Sequence, residues 1–520
     1  MGGRPRPHLQ LIEPSADRGS GWSRLRLVDL PALTCRFRDI YVRHVEAGRS
    51  GSAAVSEQTE QRTEQQTGAS PAWLTGHLTP VPDEIDAVGL EVTGTLPDEL
   101  TGRYFRNGPN PLPGQDSGHW FTGHGMVHGV RLRDGRAEWY RNRWVRTRSF
   151  TDGAPFVADD LTIDRTAVLA NTHVIPHAGK ILALVEVGFP YELTPELETV
   201  GPCDFDGRLT SAMTAHPKQD PVTGELLFFG YGFMPPYLTY HRLSADGRLV
   251  ESREIEVPGP TMMHDFAITE NHVIWLDLPL VFDLELVNGG MPYRWDDAYG
   301  ARIGVMPRDQ HTGTQAGTVR WFDVDPCYVF HVGNAHEDAQ GRVVLDAARY
   351  RPEEFTAFWP TIGGPGQETA AAAGPAQAAA STGNARVHRW TLDPASGKVS
   401  EETLDDRGVE FPTHDDARTG RPHRFLYTAA DDAIVKYDLR DGSSEALELG
   451  PELTPGEAVF VPAQGARAED EGWLLSIVSD LAATRSELLV LDASDLSRTA
   501  SVRLPRRVPA GFHGSWIPDA

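Results

Sequence analysis

The sequence predicts an all-β fold, and within that class a β-propeller in preference to a sandwich. Three observations carry this. Hairpins recur along the chain around Asp-Gly and Gly-containing turns, apolar β-rich runs of strand length lie between them, and few stretches offer a long helical period. From about Thr79 the elements follow in order. Residues 131–140 are two strands about Asp134-Gly135, because Asp-Gly supplies the positive φ values a two-residue hairpin needs. Residues 180–186 form an apolar run, and the tip Asp220-Pro-Val-Thr-Gly224 leads into the run 225–231. A second Asp-Gly hairpin covers 239–251, followed by a strand at 272–277. The tip Ala339-Gln-Gly-Arg342 precedes the run 343–346, and Asp393-Pro-Ala-Ser-Gly397 and Asp416-Ala-Arg-Thr-Gly420 are further tips. The runs 424–428, 473–479 and 487–492 and a third Asp-Gly hairpin at 435–445 complete the series. Spacing is too irregular for a WD40 or kelch array, whose signatures are absent. The Ala/Gly/Pro/Gln stretch 363–383 reads as a surface insertion between strand runs.

Composition narrows the function. At 520 residues and 40% hydrophobic content the chain has material for a sizeable core. A net charge of −25 argues against a nucleic-acid partner and against electrostatic attachment to anionic lipid. Cys35, Cys203 and Cys327 are far apart with no CxxC, the usage of a reduced, cytoplasmic protein without a disulfide frame or thiolate zinc site. No apolar run reaches about 18 residues and no signal peptide is evident, so a soluble protein is expected. The first fifty residues depart from the rest, with nine Arg against five acids, and a Ser/Gln/Thr/Glu tract at 52–70 is too polar to bury anything. Residues 1–77 are therefore set apart as an extension, disordered or non-native with translation starting near Val55, and 78–520 as the propeller.

Chemistry points to four histidines: His216 in Thr-Ala-His-Pro-Lys, His264 in Met-Met-His-Asp-Phe, His331 in Val-Phe-His-Val-Gly and His513 in Gly-Phe-His-Gly-Ser. Any one buried histidine is by default a hydrogen-bonded core residue. These four share apolar, Gly or Pro surroundings, and successive gaps of 48, 67 and 182 residues place them on separate elements. A propeller gathers such distant residues, since inner strands of successive blades pass one axis. Three carboxylates lie in equally apolar settings: Glu186 in Leu-Val-Glu-Val-Gly, Glu410 in Gly-Val-Glu-Phe-Pro and Glu457 in Pro-Gly-Glu-Ala-Val. A buried carboxylate is costly unless paired, and a metal-bound imidazole offers its free N–H as that partner. Three such acids also balance a divalent ion held by neutral nitrogens. His124, His128 and His336 read as loop or turn residues rather than ligands.

The chain resembles the carotenoid cleavage oxygenases, non-haem iron enzymes with apocarotenoid- and stilbene-cleaving members. The likeness runs from about Thr79 to Trp516. Gly94-Thr-Leu-Pro-Asp-Glu-Leu-Thr-Gly-Arg-Tyr-Phe-Arg-Asn-Gly-Pro-Asn-Pro, Phe121-Thr-Gly-His-Gly-Met-Val-His and Tyr140-Arg-Asn-Arg-Trp-Val-Arg-Thr are similar to its opening motifs, and the four histidine and three glutamate segments follow in family order. The resemblance implies a seven-bladed propeller with a loop and helix dome over the axis. It implies Fe(II) held by His216, His264, His331 and His513, with Glu186, Glu410 and Glu457 supporting the second, third and fourth of them. Thr172 matches the small residue that shields one of two open iron positions.

The implied reaction is scission of a C=C bond by O₂ into two carbonyl products, with no protein acid or base required. Phe189, Phe233, Tyr237 and Trp359 are candidates to line a substrate tunnel. Stilbene-cleaving relatives carry Lys immediately before the first supporting Glu, to handle a phenol; Val185 stands here, which favours a hydrophobic polyene, carotenoid or apocarotenoid. Residues 233–237 and 278–282 are candidates for an apolar rim in peripheral contact with a membrane. Competing readings are a stilbene-cleaving dioxygenase, an isomerising family member, a calcium or zinc hydrolase, and a non-catalytic binding propeller. Calcium prefers oxygen ligands, catalytic zinc commonly keeps three protein ligands, and a binding module has no use for the buried acids. Oligomeric state is not legible from the sequence.

Overall fold

In the strand Leu226–Tyr231 every residue is buried, and the alternation of side chains divides them between two neighbours. Leu226 and Phe228 join Leu182 and Leu184 of the preceding sheet. Leu227 and Phe229 join Ile274, Trp275 and Ile303 of the following one. Strands sandwiched on both faces in this way stack face to face. The computed structural model, which describes residues 70–158, 160, 162–287, 291–308, 318–365 and 385–519, repeats the pattern around a ring.

Seven antiparallel sheets result, the blades of a β-propeller. Blade 2 comprises His173–His177, Lys180–Leu184, Tyr191–Leu193 and Thr199–Pro202, from the axis outward; blade 3 comprises Lys218–Gln219, Leu226–Tyr231, Leu238–Leu243 and Leu249–Glu254. Blade 4 is Ala267–Ile268, His272–Asp277, Arg302–Pro307 and Arg320–Asp323, and blade 5 is Tyr328–Glu337, Val343–Tyr350, Arg386–Leu392 and Val399–Thr403. Blade 6 is Glu410–Thr413, Phe425–Ala429, Ala433–Asp438 and Ser443–Glu448. Apolar clusters fill every interface around the ring, including that between blades 7 and 1, where Leu475, Ile477 and Val490 meet Tyr104, Val130 and Tyr140.

The ring closes twice. Gly514–Pro518 pairs with Gly102–Pro109 as the inner strand of blade 1, whose other strands are Gly125–Arg133, Arg136–Trp144 and Asp86–Val88. Val92–Gly94 pairs with Arg498–Arg503 as the outer strand of blade 7, beyond Ser486–Asp492 and Gly472–Asp480. Asp519 locks the first closure by accepting hydrogen bonds from Arg131 and Arg103.

The expected Asp-Gly hairpins are present. Asp134 and Gly135 take φ of 47° and 67° between strands Gly125–Arg133 and Arg136–Trp144, the left-handed pair that reverses a twisted ribbon. Outside the blades lie a two-stranded hairpin of Leu280–Phe282 with Tyr293–Trp295 and, among the short helical elements, a helix Pro352–Phe358 opened by Pro at its first turn and the 3-10 turns Trp359–Ile362 and Trp120–Thr122. Phe355 and Trp359 reach Phe330 of blade 5, at ring distances of 5.9 and 6.4 Å.

Residues 70–77, grouped above with the extension, form two 3-10 turns (Ala72–Leu74 and Gly76–Leu78), and the His77 carbonyl accepts a hydrogen bond from the Ala510 amide. The arginine-rich arm, the polar tract up to residue 69, Cys35 and the insertion beyond residue 365 lie outside the described residues. Cys203 and Cys327 are buried free thiols. No helix among the described residues is long and apolar enough to cross a membrane.

One partly buried acid ties blades 4 and 5 together. Glu337 ends the inner strand of blade 5 and accepts hydrogen bonds from His272 Nδ1 (2.8 Å), Thr269 and Asn271 of blade 4. Burial pushes its carboxyl up, but these partners outweigh burial and bring it from 4.5 down to about 2. A depressed folded-state value means stability fully present above about pH 4.5 and lost as pH falls through about 2. Glu337→Gln is therefore expected to shrink the loss of melting temperature between pH 5 and pH 2, read by thermal denaturation. An unchanged acid limb counts against this role.

Candidate metal centre

The seven blades deliver the predicted residues to one place. His216 stands two residues before the inner strand of blade 3, His264 three before that of blade 4, His331 within that of blade 5 and His513 immediately before that of blade 1. All four are buried. The His216 ring centroid lies 4.5 Å from that of His264, 5.3 Å from His331 and 4.7 Å from His513. His331 lies 5.2 Å from His264 and 4.7 Å from His513. Residues separated by successive gaps of 48, 67 and 182 positions thus share one small volume.

Three of the rings are aimed by carboxylates. His331 Nδ1 is 2.6 Å from Glu410 Oε2, His513 Nδ1 is 2.9 Å from Glu457 Oε1, and His264 Nδ1 meets Glu186. The acids are themselves held. Tyr231 donates its hydroxyl to Glu186, the Phe411 amide donates to Glu410 Oε2 at 2.8 Å, and the Gly514 amide donates to Glu457 Oε2 at 2.8 Å. Tyr350 also bonds Glu410. No carboxylate hydrogen bond to the His216 ring occurs among the described residues.

This fixes the tautomers. A ring whose Nδ1–H points at a carboxylate presents a bare lone pair at Nε2. His513 Nε2 is buried with no partner, and the Nε2 atoms of His216 and His264 face each other at 3.0 Å. That is the spacing of two nitrogens each about 2.1 Å from one ion and a right angle apart. Burial, reinforced by the neighbouring rings, holds His216 and His331 well below the ordinary imidazole value and therefore neutral. Burial pulls His264 the same way, but the Glu186 carboxylate outweighs it and raises the group. Burial pushes Glu410 up to about 8, whereas at Glu457 the His513 ring overcomes burial and lowers the carboxyl. Imidazole nitrogens in front and carboxyl groups behind are the donor chemistry of a seat for a metal cation.

Thr172 precedes the inner strand of blade 2, its carbonyl accepts from the His513 amide at 3.3 Å, and its hydroxyl donates to Asn171 Oδ1 at 3.0 Å. That hydroxyl is committed to its neighbour rather than to an ion. His128 lies mid-strand rather than in a turn, with Nδ1 2.8 Å from the Tyr140 hydroxyl. His336 is likewise a strand residue of blade 5, its ring 6.1 Å from that of His423. His124 packs against Phe150.

The aromatic wall beside the histidines differs from the one expected. Phe330 meets His264 edge-on at 5.2 Å, Phe411 stacks on His331 at 4.8 Å, and Phe512 and Phe330 are joined through Phe121. Trp359 enters this wall through Phe330 and Phe121. Phe189 packs into the core between blades 2 and 3, and Phe233 stacks on Phe282 at 5.1 Å. The missed residues had a signal: Phe330, Phe411 and Phe512 each adjoin a predicted site residue. In a regular strand neighbours face opposite ways, but here the backbone is irregular. Blade 5 changes register on either side of Val332, and Phe411 adopts φ of 53°, strained for a non-glycine residue. Of the expected apolar rim, 278–282 is largely core, with Leu278 and Leu280 buried, because its hairpin packs inward on Tyr293 and Trp359; Met234 in the other segment is exposed.

A closed propeller whose axis gathers four imidazoles backed by carboxylates has the donor set of a metalloenzyme. The family model described as RPE65, retinal pigment epithelial membrane protein, matches residues 78–518. A carotenoid cleavage oxygenase of Mycobacterium tuberculosis is 40% identical over 509 residues, spanning 86% of this chain and 97% of that one. A lignostilbene dioxygenase structure from Pseudomonas brassicacearum superposes with a TM-score of 0.74 at 31% identity, over 86% of this chain and 99% of that one. The cobalt-substituted apocarotenoid oxygenase of Synechocystis gives 0.73 at 28% identity, over 86% and 98%. The chain belongs to the carotenoid cleavage oxygenase family, and it is an enzyme of the oxygenase class.

Proposed function

We propose that the protein is an Fe(II)-dependent dioxygenase that cleaves one C=C bond of a carotenoid or apocarotenoid. One alkene and one O₂ give two carbonyl compounds, each taking one oxygen atom. The observation that carries this is the convergence of four buried imidazoles, three of them backed by carboxylates, with His513 Nε2 left without a partner and the Nε2 atoms of His216 and His264 facing each other at 3.0 Å. Four nitrogen donors with no carboxylate among them favour a transition metal over calcium. Iron held by His216, His264, His331 and His513 supplies the activation of O₂. Everything else asked of the chain is positioning. Glu186, Glu410 and Glu457 hold three rings in tautomer and direction. Phe330, Phe411, Phe512 and Phe121 exclude water and hold a flat apolar chain by shape. Thr172, its hydroxyl turned to Asn171, narrows access beside His513 without binding the ion itself.

Val185 supports a polyene over a phenolic stilbene. It is buried in the apolar core between blades 1 and 2, so the position next to Glu186 offers no ammonium to a phenol. The test is product mass spectrometry on a panel of carotenoids, apocarotenals and hydroxystilbenes with Fe(II) under ¹⁸O₂. Two labelled carbonyl fragments from a polyene, with the stilbenes intact, are expected. Cleavage of stilbenes alone reverses the substrate assignment, an unlabelled product of unchanged mass makes the enzyme an isomerase, and protein that never retains metal ends the proposal.

A further inference from the structure

An ionic pair between a buried carboxylate and a partly exposed lysine lies next to the histidines in sequence, and none of the chemistry above uses it. Asp265 follows His264, is 3% exposed, and spends both carboxylate oxygens on different blades. Its Oδ1 accepts from Lys218 Nζ of blade 3 at 2.8 Å and from the Phe266 amide at 2.7 Å. Its Oδ2 accepts from the Val332 amide of blade 5 at 2.8 Å. Lys218 is two residues beyond His216, and Val332 is one beyond His331. A single carboxylate therefore ties three inner strands together, at points one or two residues from three of the four imidazoles.

We infer that Asp265, through Lys218 and the Val332 amide, is a positioning residue that sets the mutual spacing of His216, His264 and His331. The inference rests on the metal-centre reading above and deepens it.

The local backbone is arranged for this link. Pairing between Tyr328–Glu337 and the next strand changes register between Val329 and Val332 and again between Val332 and Asn334, which frees the Val332 amide from the ladder. Asp265 takes up the freed donor. A short second link runs in parallel: the Thr214 hydroxyl bonds the His264 carbonyl at 3.4 Å and accepts from the His216 amide at 3.2 Å. A buried ion pair is weak as a source of stability, since apolar side chains of like volume often do as well. Apolar side chains have no directional bonds, however, and cannot hold three strands at fixed offsets. Asparagine cannot replace the aspartate either. One of its two ends is an N–H donor, and in either orientation that end meets another donor, the Lys218 ammonium or the Val332 amide.

The test compares Asp265→Asn with Asp277→Asn, a control in the same blade. Asp277 is equally buried and pairs with Arg302 at 2.8 Å and the Tyr299 hydroxyl at 2.9 Å. Co(II) is the probe, bound to metal-free full-length protein and followed by its visible absorption and by chelator competition, with melting of the metal-free protein as the folding control. Asp265→Asn is expected to weaken Co(II) about 10–100-fold and to change the absorption spectrum, the range typical when an outer support of a ligand is lost. Asp277→Asn is expected to leave both unchanged at a similar loss of melting temperature. Lys218 is partly exposed, so Lys218→Met serves if Asp265→Asn fails to fold; it should weaken Co(II) in the same sense, and Lys218→Arg should restore it. Variants at 265 and 218 that bind Co(II) as tightly as the Asp277→Asn control overturn the inference and leave the metal centre standing. Unsubstituted protein that binds no Co(II) removes the metal centre itself, and this inference with it.

Discussion

Replacing His331 with alanine should give a folded protein that retains no metal and forms no cleavage product. The argument is geometric. His331 sits on the inner strand of blade 5 with its ring within 5.3 Å of those of His264, His216 and His513, so its loss removes one of the four donors. The propeller does not depend on that ring, because its inter-blade cores are formed by other residues, and blade 5 keeps its own ladder through Val343–Tyr350. The Glu410 carboxyl left behind still has the Phe411 amide and Tyr350, and burial already favours its protonated form, so it can go neutral rather than unfold the site. Loss of a supporting carboxylate in metal sites brings roughly 10–100-fold in affinity or activity, and loss of the ligand itself should exceed this. Elemental analysis and product mass spectrometry are the measurements. Full metal content with normal turnover would show that the ion, if any, is held elsewhere.

Glu186→Ala is expected to be the most damaging of the three carboxylate replacements to folding as well as to metal binding. Glu186 accepts from His264 Nδ1 and from the Tyr231 hydroxyl, both buried. Alanine leaves two buried donors without acceptors, at about 1–3 kcal/mol each, and frees the His264 ring to turn. Glu186→Gln keeps one acceptor oxygen and should fall between alanine and the parent. Tyr231→Phe removes one donor and no acceptor, so metal affinity should stay near the parent's. The order Ala, Gln, Phe in severity, read by melting temperature and by metal titration, is the expected result; a Tyr231→Phe as severe as Glu186→Ala would mean that packing rather than aim of the His264 ring is at stake.

What the sequence disclosed depended on how local its cause was. Asp134-Gly135 dictates a hairpin by its own φ preferences, and the run 226–231 shows its burial on both faces by being apolar throughout. The inner strands Lys218–Gln219 and Ala267–Ile268 are two residues long, too short for any period to register, so the blades could not be counted from hairpins and the number seven came through resemblance. The histidines stood out because apolar flanks are unusual for them. Phe330, Phe411 and Phe512 did not, because an aromatic in an apolar segment looks like core; the register shifts of blade 5 and the strained Phe411 set the first two beside the rings, and Phe512 joins them through Phe121. Residues 70–77 looked detached for a similar reason, since their hydrogen-bond partners are distant in sequence, Asp116 for Trp73 and Ala510 for the His77 carbonyl.

The last inner strand to be laid down, Gly514–Pro518, follows directly on His513. During translation the ribosome therefore releases Glu186, His216, His264, His331, Glu410 and Glu457 well before the fourth imidazole exists, and Gly102–Pro109 waits unpaired on its inner edge until the final segment emerges. The complete set of four imidazoles is thus in place only when the segment that closes the ring is made. A chain cut short before residue 513 lacks both the strand that latches the ring and one imidazole of the set.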